Sequence, residues 1–303
     1  ANVFRIKGKL QLSAPEIAGL SYTVGTSQTI SWATTGTFSP VELHYDRDGN
    51  FATTAVTFPV LPLSTVVNCS PVSPAITCTG SASFTIEDKI GALNKVRVRG
   101  TGVDTDVQWI STNPFKIVGK FDAITSPTAG EVWSVGDTTK QIKWTATGTI
   151  TNVKIEYRTL AGGAWVVPAI TANDPAHTAG PNTYNWTAGI PNEKTEDAYI
   201  QVSDVNFPEV SLVSAAFRIR PVITVTNPIL NQQLVVGTNY PNLIKWSATG
   251  TTISTVKVLY STDGGINYPD PANVISASEL VGNGTAGIAW NIPAAATLTT
   301  NAK

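Results

Sequence analysis

Apolar and polar residues alternate along many short segments of this chain. Ser31 separates two apolar residues in Ile30–Trp32. In Val41–Tyr45, three apolar residues alternate with two polar ones. A period of two is the pattern of a β-strand with one buried face. We find no helical periodicity of useful length. The pattern therefore predicts a chain built almost wholly from short strands.

The same pair of strands occurs three times along the chain. Each copy carries a tryptophan on the first strand and a tyrosine on the second, spaced by 13, 13 and 14 residues. A further aromatic strand follows later in each copy. The repeated inward-facing aromatic positions are predicted to form the structural core: Trp32, Tyr45, Trp144, Tyr157, Trp186, Trp246, Tyr260 and Trp290.

The repeat also defines the predicted domains. The tryptophans of successive copies are 112 and 102 residues apart, and the longer interval holds an insertion that carries both cysteines. About seven short strands per roughly 100 residues, separated by turns, are typical of an antiparallel β-sandwich. We therefore predict three tandem sandwiches over residues 9–119, 120–221 and 222–303.

Both ends of the chain are predicted to fall inside a sandwich. Asn2–Lys7 matches the closing strands that begin at Phe115 and Phe217, so residues 1–8 are expected to be the last strand of a preceding domain or a donor strand. Thr299–Lys303 matches residues that precede late strands of the first two sandwiches, so the third is expected to lack its last two strands. The chain would then be a segment of a longer array, or neighbouring copies would complete each other by strand donation. Donation explains only one of the two missing strands.

The placement of tryptophan and tyrosine on consecutive early strands resembles fibronectin type III and related immunoglobulin-like modules. No cysteine pair links the two sheets, unlike the antibody type. The run Ser126–Thr149 also resembles the Ig-like domain of fungal KNH-like cell-wall proteins, and similar repeats occur in large bacterial surface proteins. The resemblance covers all three units. It implies tandem Ig-like sandwiches at the cell surface or outside the cell, and it implies little about activity.

Composition narrows the classes of partner. Charged residues make up 14% of the chain and the net charge is −1, so the sequence has no electrostatic footprint for nucleic acid or an anionic membrane. No stretch of about 20 apolar residues is present that could insert into a bilayer. The chain begins at Ala and contains no Met, as expected for a processed secreted polypeptide or a segment of one.

The two cysteines, Cys69 and Cys78, lie close together in the insertion of the first sandwich. We predict a short-loop disulfide that pins this insertion, with two free thiols in a reduced compartment as the alternative. No histidine or further cysteine lies near them in the sequence, so a zinc site is unsupported.

Two loops carry residues that could bear chemistry. Asp46 and Asp48 superficially resemble part of a calcium loop but lack the later Glu, so a hairpin turn is favoured. Ser261–Tyr268 resembles the Asp-box of sialidases, whose role in those folds is a structural turn. His44 and His177 have no nucleophile or carboxylate partner at positions supported by the repeat. We predict no catalytic residue, no cofactor and no metal.

Three tryptophans, Trp109, Trp133 and Trp165, are less fixed by the repeat and are candidates for stacking on sugar rings, with strand-edge or interdomain packing as the alternative. Trp133 aligns with Tyr22 and Leu234 of the other copies, which favours packing at this position. The sequence favours a non-catalytic stalk or filament segment whose partners are neighbouring copies or further repeats of the same chain. The competing hypothesis is a carbohydrate-binding accessory segment that contacts cell-wall or extracellular polysaccharide. A weaker one is a secreted hydrolase with its catalytic domain outside this segment. Loss of glycan-array binding on mutation of the three tryptophans would favour the carbohydrate-binding hypothesis.

Overall fold

The computed structural model describes residues 3–36, 41–51, 56–57, 68–72 and 75–303. Within these ranges the regular secondary structure is almost entirely β-strand, with a short 3-10 helix at Gly102–Asp104 and one helical turn, α1 (Asn283–Ala286). The strands form three consecutive pairs of sheets. This arrangement confirms the predicted fold class of tandem Ig-like antiparallel β-sandwiches.

The first sandwich is the most elaborate of the three. Its strands are β1 (Lys9–Ala14), β2 (Ser21–Thr23), β3 (Ser27–Thr35), β4 (Val41–Asp46), β5 (Val56–Thr57), β6 (Asn68–Val72), β7 (Ala75–Thr85), β8 (Gly91–Gly100), β9 (Gln108–Ile110) and β10 (Phe115–Val118). One sheet has the order β1-β3-β7-β6, and the other has the order β2-β10-β8-β4-β5 with β9 beside β8. The closing strand β10 pairs in parallel with the short strand β2 and antiparallel with β8.

The second sandwich repeats this topology without the strand that corresponds to β6. Its strands are β11 (Lys120–Ser126), β12 (Val132–Ser134), β13 (Gln141–Thr147), β14 (Val153–Arg158), β15 (Thr171–Asp174), β16 (Gly180–Asn185), β17 (Thr195–Asp204), β18 (Ser211–Val213) and β19 (Phe217–Arg220). The sheets have the orders β11-β13-β16 and β12-β19-β17-β14-β15, with β18 beside β17. The closing strand β19 again pairs in parallel with a three-residue strand, here β12.

The third sandwich is incomplete. Its strands are β20 (Val222–Asn227), β21 (Asn239–Thr249), β22 (Thr255–Leu259), β23 (Val274–Leu280) and β24 (Ile288–Asn291), in the sheets β20-β21-β24 and β22-β23. No described strand corresponds to β17 or β19 of the second sandwich. Lys303 exchanges two backbone hydrogen bonds with Ser261, of 2.6 and 2.9 Å, where the first of these strands would begin. The predicted domain boundaries, and the expectation that the third sandwich lacks its last two strands, stay predictions.

A buried tryptophan lies at the same position in each sandwich. Trp32, Trp144 and Trp246 are 1%, 1% and 4% exposed. Each lies opposite a residue of the first strand of its sandwich, and the facing residues are Leu12, Ile124 and Val225 in that order. A large ring on an inward strand position removes apolar surface from water on both sheets, which is the main stabilising term of a sandwich core.

The core weakens where the strands are missing. Leu12 of the first sandwich is 3% exposed, whereas Val225, at the same position in the third, is 63% exposed. The tyrosines are held to different extents: Tyr45 is 6% exposed and donates a 2.9 Å hydrogen bond to Asn94, whereas Tyr260 is half-buried against Trp290 at 4.9 Å between ring centroids. The third sandwich therefore exposes apolar surface that the other two bury.

The described part of the predicted first strand, residues 3–8, has no regular secondary structure. Arg5 lies 2.7 Å from Asp104, and Arg5 and Lys7 both pair with Asp106, so polar contacts hold the segment beside the first sandwich. Its apolar side chains find no cover there, since Phe4 is 83% exposed. Whether it forms a closing strand stays a prediction.

Candidate functional site at the joints between sandwiches

A glycine turn occurs at the same place in each sandwich. The amides of Gly25, Gly136 and Gly237 donate backbone hydrogen bonds of 2.8, 2.8 and 2.9 Å to the carbonyls of Ile86, Ile190 and Ile292. All three glycines have a positive φ, of 81°, 77° and 72°, a conformation that other residues adopt only with strain. The turn therefore fixes the end of each sandwich in one shape.

A hydrogen-bonding side chain follows two residues after the isoleucine in the first two sandwiches. It is Asp88 in the first and Asn192 in the second, while the third has Ala294 at this position. Both polar side chains point at the same loop of the following sandwich, a Gly-Thr pair after the core tryptophan strand. The glycines recur at the same places in the sequence, whereas the acceptors differ in residue type, and the sequence analysis missed the acceptors.

At the first joint Asp88 binds the loop of the second sandwich with both carboxylate oxygens. The Thr149 amide donates to Asp88 Oδ1 at 2.9 Å, and the Thr149 hydroxyl donates to Asp88 Oδ2 at 2.6 Å. The adjacent Gly148 is closely packed: a Cβ on it would lie 2.9 Å from Val24 Cγ2, which is closer than real Cβ atoms approach. Hydrogen bonding and packing thus lock the same two loops together.

The second joint has the same construction with an amide in place of the carboxylate. The Thr251 amide donates to Asn192 Oδ1 at 2.9 Å, and Asn192 Nδ2 donates to Thr251 Oγ1 at 2.7 Å. A Cβ on Gly250 would lie 3.0 Å from Pro221 and 3.4 Å from Val135, the counterpart of Val24. Asp88 and Asn192 make the same contact although they are different residue types. At both joints this position therefore binds the threonine of the following sandwich.

The first joint carries an additional charged contact. Lys116 on the closing strand β10 lies 2.7 Å from Glu209 of the second sandwich, and its ammonium lies 5.7 Å from the ring centre of Phe207. Arg47, Asp88 and Phe207 are among the residues that line a crevice of about 440 Å³ between these sandwiches. The ion pair is exposed and contributes little at physiological salt.

The candidate calcium residues lie in a tight turn. Asp46 Oδ1 accepts the amides of Asp48 and Asn50, both at 3.0 Å, and Asp48 Oδ1 accepts the Asn50 amide at 2.8 Å. Among the described residues no group of three or more His, Cys, Asp or Glu side chains could hold a metal. The geometry is that of an Asx-type turn closing the hairpin after β4.

The turn that resembles an Asp-box is likewise closed on itself. Asp263 accepts hydrogen bonds from the Ser261 hydroxyl at 2.6 Å, the Asn267 amide at 2.9 Å and the Asn267 side chain at 2.7 Å. These donors lower the pKa of Asp263 to about 2, with the Ser261 contact as the largest cause. The carboxylate organises the loop that follows β22.

The three tryptophans proposed for glycan contact lie in different environments. Trp133 is fully buried in the second sandwich, 4.8 Å from the Phe217 ring, so it presents no face to a sugar. Trp109 is half-buried and donates a 2.8 Å hydrogen bond to Glu16. Trp165 is half-buried, with the Arg158 guanidinium 4.6 Å from its ring centre. The structure does not bring the three into one surface cluster by any described contact.

The cysteines occupy facing positions on two neighbouring strands. Cys69 on β6 is in register with Cys78 on β7, and Cys78 is 3% exposed. Directly opposed residues of an antiparallel pair are about 4.5–5.5 Å apart at Cα, a spacing that a disulfide can bridge. The Cys69 side chain lies outside the described side chains, and the disulfide stays a prediction.

His44 is buried on the sheet face that also carries Glu42, Arg97 and Arg99. Burial lowers its pKa to about 4; the positive charges of Arg97 and Arg99 add to this effect, and Glu42 opposes it. His177 instead places Nε2 2.8 Å from Asp174 and packs its ring edge-on against the core Trp144. Both histidines are thus accounted for by packing and local charge.

The depressed pKa of His44 predicts an acid-sensitive first sandwich. The unfolded chain binds a proton at this residue near pH 6.5, whereas the folded state does so only near pH 4. The stabilisation from neutral His44 is therefore complete above pH 6.5 and is lost as the pH falls to 4. We expect denaturation midpoints of the first sandwich to drop over this window and His44→Gln to flatten the drop. If the denaturation midpoints of wild-type protein and His44→Gln fall equally between pH 6.5 and 4, His44 does not cause the acid sensitivity.

The described part of the chain contains no helix that is long and apolar enough to cross a membrane.

Comparisons with known proteins find likeness only among solved structures. No family model and no curated protein matches the chain. The chain is similar to an ICAM-5 D1–D4 ectodomain fragment (14% identity, covering 90% of this chain and 67% of that one, TM-score 0.32). It is also similar to DIP-gamma IG1+IG2 (9% identity, 70% and 98% covered, TM-score 0.26) and to fibronectin(III)-like modules of Clostridium thermocellum CbhA (14% identity, 69% and 92% covered, TM-score 0.19). At these values we base no functional conclusion on the likeness.

Proposed function

We propose that this chain is a non-catalytic structural segment of an extracellular or cell-surface protein, in which tandem sandwiches act as a semi-rigid spacer. The observation that carries the proposal is the repeated joint, in which Asp88–Thr149 and Asn192–Thr251 connect successive sandwiches with the same geometry. A contact repeated between consecutive units indicates that their relative orientation, rather than a cleft, is the property that the fold maintains.

The linkers support a spacer role because they leave little freedom. One residue, Gly119, separates the closing strand β10 from β11, and one residue, Pro221, separates β19 from β20. Domains within a chain are expected to move relative to one another unless their interface restrains them. Here a one-residue connection and a two-hydrogen-bond contact act at the same joint, so reorienting a sandwich requires breaking both hydrogen bonds.

Location outside the cell is supported by composition and by the resemblances given above. The surface is sparsely charged and rich in Ser, Thr and Asn, and a disulfide at Cys69 and Cys78 would require an oxidising compartment. The resemblance to KNH-like cell-wall domains and to repeats of bacterial surface proteins points the same way. Carbohydrate binding retains two half-buried candidates, Trp109 and Trp165, and no described contact joins them in a way that favours this function over the spacer.

The spacer function predicts that Asp88→Ala loosens the first joint. The substitution removes both acceptors of Thr149, and hydrogen bonds to a charged group contribute about 1.5–3 kcal/mol each before solvent screening. We expect a broader distribution of distances between dyes placed on the first and second sandwiches, measured by single-molecule FRET. The melting of each sandwich should change little.

The chain supplies matched controls for this measurement. Asp88→Asn should keep the narrow distribution, because Asn192 makes the same contact at the second joint. Glu87→Ala changes the neighbouring exposed carboxylate and should leave the joint intact. If Asp88→Ala and wild-type protein give the same distance distribution, the joint does not fix the orientation and the spacer mechanism is wrong.

A further inference from the structure

The outer face of the second sandwich carries an arginine that is held by two aromatic rings. The guanidinium carbon of Arg158 lies 4.6 Å from the ring centre of Trp165 and 5.0 Å from that of Tyr199. Arg158 and Tyr199 are in register on β14 and β17. Arg158 points away from the core, because Val153 and Ile155, the inward residues of the same strand, are fully buried. The rings therefore fix the position of a cation on the outer face.

This guanidinium has N–H donors without acceptors. Arg158 Nε is buried, and among the described residues it has no hydrogen-bond partner. Arg158 also makes no ion pair in that part of the chain, whereas Lys154, the other cation of β14, lies 2.7 Å from Glu156. A guanidinium presents five donors in a planar fork that matches the two oxygens of a carboxylate. A bound carboxylate would thus satisfy donors that the protein leaves open.

The first sandwich has no equivalent set of open donors. Arg97 and Arg99 also have a buried Nε without an acceptor, but Glu42 lies 2.7 Å from Arg99. Burial lowers the pKa of Arg97, and the nearby carboxylates of Glu42 and Asp46 oppose this effect. Within the described chain, only Arg158 is held by two rings and left without a carboxylate.

The loop that carries Trp165 is ordered and open to solvent. The Val166 amide donates to the Tyr157 carbonyl at 2.9 Å, and the Gly163 amide donates to the Leu160 carbonyl at 3.0 Å, so the loop is fixed to the end of β14. Trp165 is only half-buried, and Leu160 in the same loop is 63% exposed. Part of the indole is therefore accessible beside the guanidinium, and a ligand would find both groups already in place.

We propose that Arg158 and Trp165 bind a uronate, the carboxylate-bearing pyranose of an acidic polysaccharide. The carboxylate accepts hydrogen bonds from the Arg158 fork, and the apolar face of the sugar ring packs on the accessible part of the Trp165 indole. Gln201, which is in register with Glu156 and follows Tyr199 on the outer face of β17, supplies an amide donor and an acceptor for sugar hydroxyls. The second sandwich thereby gains a binding function that the spacer does not require.

The geometry favours a saccharide over an acidic peptide. An extended peptide that adds to a sheet gains affinity from main-chain hydrogen bonds at an open edge. Beside Arg158, the Tyr157 carbonyl already accepts the Val166 amide, and β17 pairs with β14 on one side and β19 on the other. The backbone at this site is thus already paired. A pyranose needs no such edge, because its hydroxyls and its apolar face contact side chains.

Affinity electrophoresis of the full chain in gels that contain a uronate polymer tests the site. Polygalacturonate, alginate and hyaluronan carry the carboxylate on different pyranoses, and methyl-esterified polygalacturonate keeps the ring without its charge. We expect at least one of the three acidic polymers to retard the protein, and the ester to have little effect. Arg158→Gln and Trp165→Leu should each weaken that binding about ten-fold or more, because each removes one of the two main contacts.

Two further variants separate recognition from net charge. Arg220→Gln removes a cation of the same sheet that already pairs with Glu196, and it should leave binding unchanged. Arg158→Lys keeps the charge without the planar fork and should still lose most of the affinity. The melting of the second sandwich should be the same in all of these variants, because neither Arg158 nor Trp165 belongs to its core.

Three results would overturn the proposal: no binding to any of the acidic polymers, equal binding to the methyl ester, or binding that Arg158→Gln leaves intact. Competition by polyglutamate as effective as that by free uronate polymer would also overturn it, since polyglutamate carries carboxylates without a sugar ring. The FRET test of the spacer is independent of all these outcomes.

Discussion

Trp144→Ala is expected to destabilise the second sandwich by about 3–5 kcal/mol. The side chain is 1% exposed, lies opposite Ile124 on the first strand, and receives the His177 ring edge-on at 4.9 Å between centroids. Its removal leaves a cavity that the two sheets cannot fill without shifting. Since domains are typically stable by only about 5–15 kcal/mol, the second sandwich should be largely unfolded under mild denaturing conditions.

Hydrogen exchange followed by mass spectrometry can locate this effect. Amides of β13 and β16 should lose protection in Trp144→Ala, while β3 and β7 of the first sandwich keep theirs, because each sandwich has its own core. Trp165→Ala removes the same kind of side chain from a half-buried loop position and serves as the matched control. Equal protection in both variants would show that Trp144 does not hold the core together.

The core positions are the part of the fold that one sequence makes visible. Trp144 and Tyr157 lie on consecutive strands of the two facing sheets, so nearly the same spacing recurs in each copy, and the alternation around them predicts strands directly. The expectation that the third sandwich lacks its last two strands comes from the same comparison of the copies. A repeat compares the chain with itself, and a missing segment is then as visible as a present one.

The short strands that pair in parallel with the closing strands could not be predicted from the sequence pattern. β12 is three residues long and pairs with β19, which lies more than 80 residues later, so no local sequence pattern predicts this strand. The alignment of Trp133 with Tyr22 and Leu234 favours packing, but without the partner strand a glycan contact stayed open as an alternative. The structure places it under the closing strand, against Phe217. A strand defined by a distant partner cannot be identified from the residues within it.

The joint acceptors were missed for a different reason. Asp88 and Asn192 are chemically different residues in polar loops, and the threonines that they bind lie 61 and 59 residues further along the chain. Only the accompanying glycines, which adopt a positive φ, recur visibly in the sequence, and a recurring glycine does not identify the loop that it contacts. The joint exists because two loops of separate sandwiches meet, and that meeting depends on the packing of both domains.

Gly80→Ala is the second substitution with a large expected effect. It should destabilise the first sandwich, although replacing a glycine inside a strand by alanine usually stabilises a protein. Glycine inside a strand normally costs about 0.5–1 kcal/mol relative to alanine. Gly80, however, lies directly opposite Trp32 across β3 and β7, and a Cβ there would lie 2.5 Å from the indole. The ring or the strand must move, and overpacking of this kind costs about 1–3 kcal/mol. Steric exclusion should therefore outweigh the gain in backbone propensity.

Chemical denaturation of the first sandwich, combined with a double-mutant cycle, tests this reasoning. Gly282→Ala is the matched control, because a Cβ there meets nothing within 4 Å and the substitution should be close to neutral. Trp32→Leu makes room beside position 80, so Gly80→Ala should be far less damaging in that background than in wild-type protein. If the two backgrounds give the same loss of stability, the damage does not come from the Trp32 ring. A coupling above about 1 kcal/mol would mean that the glycine is required by the tryptophan that the repeat retains.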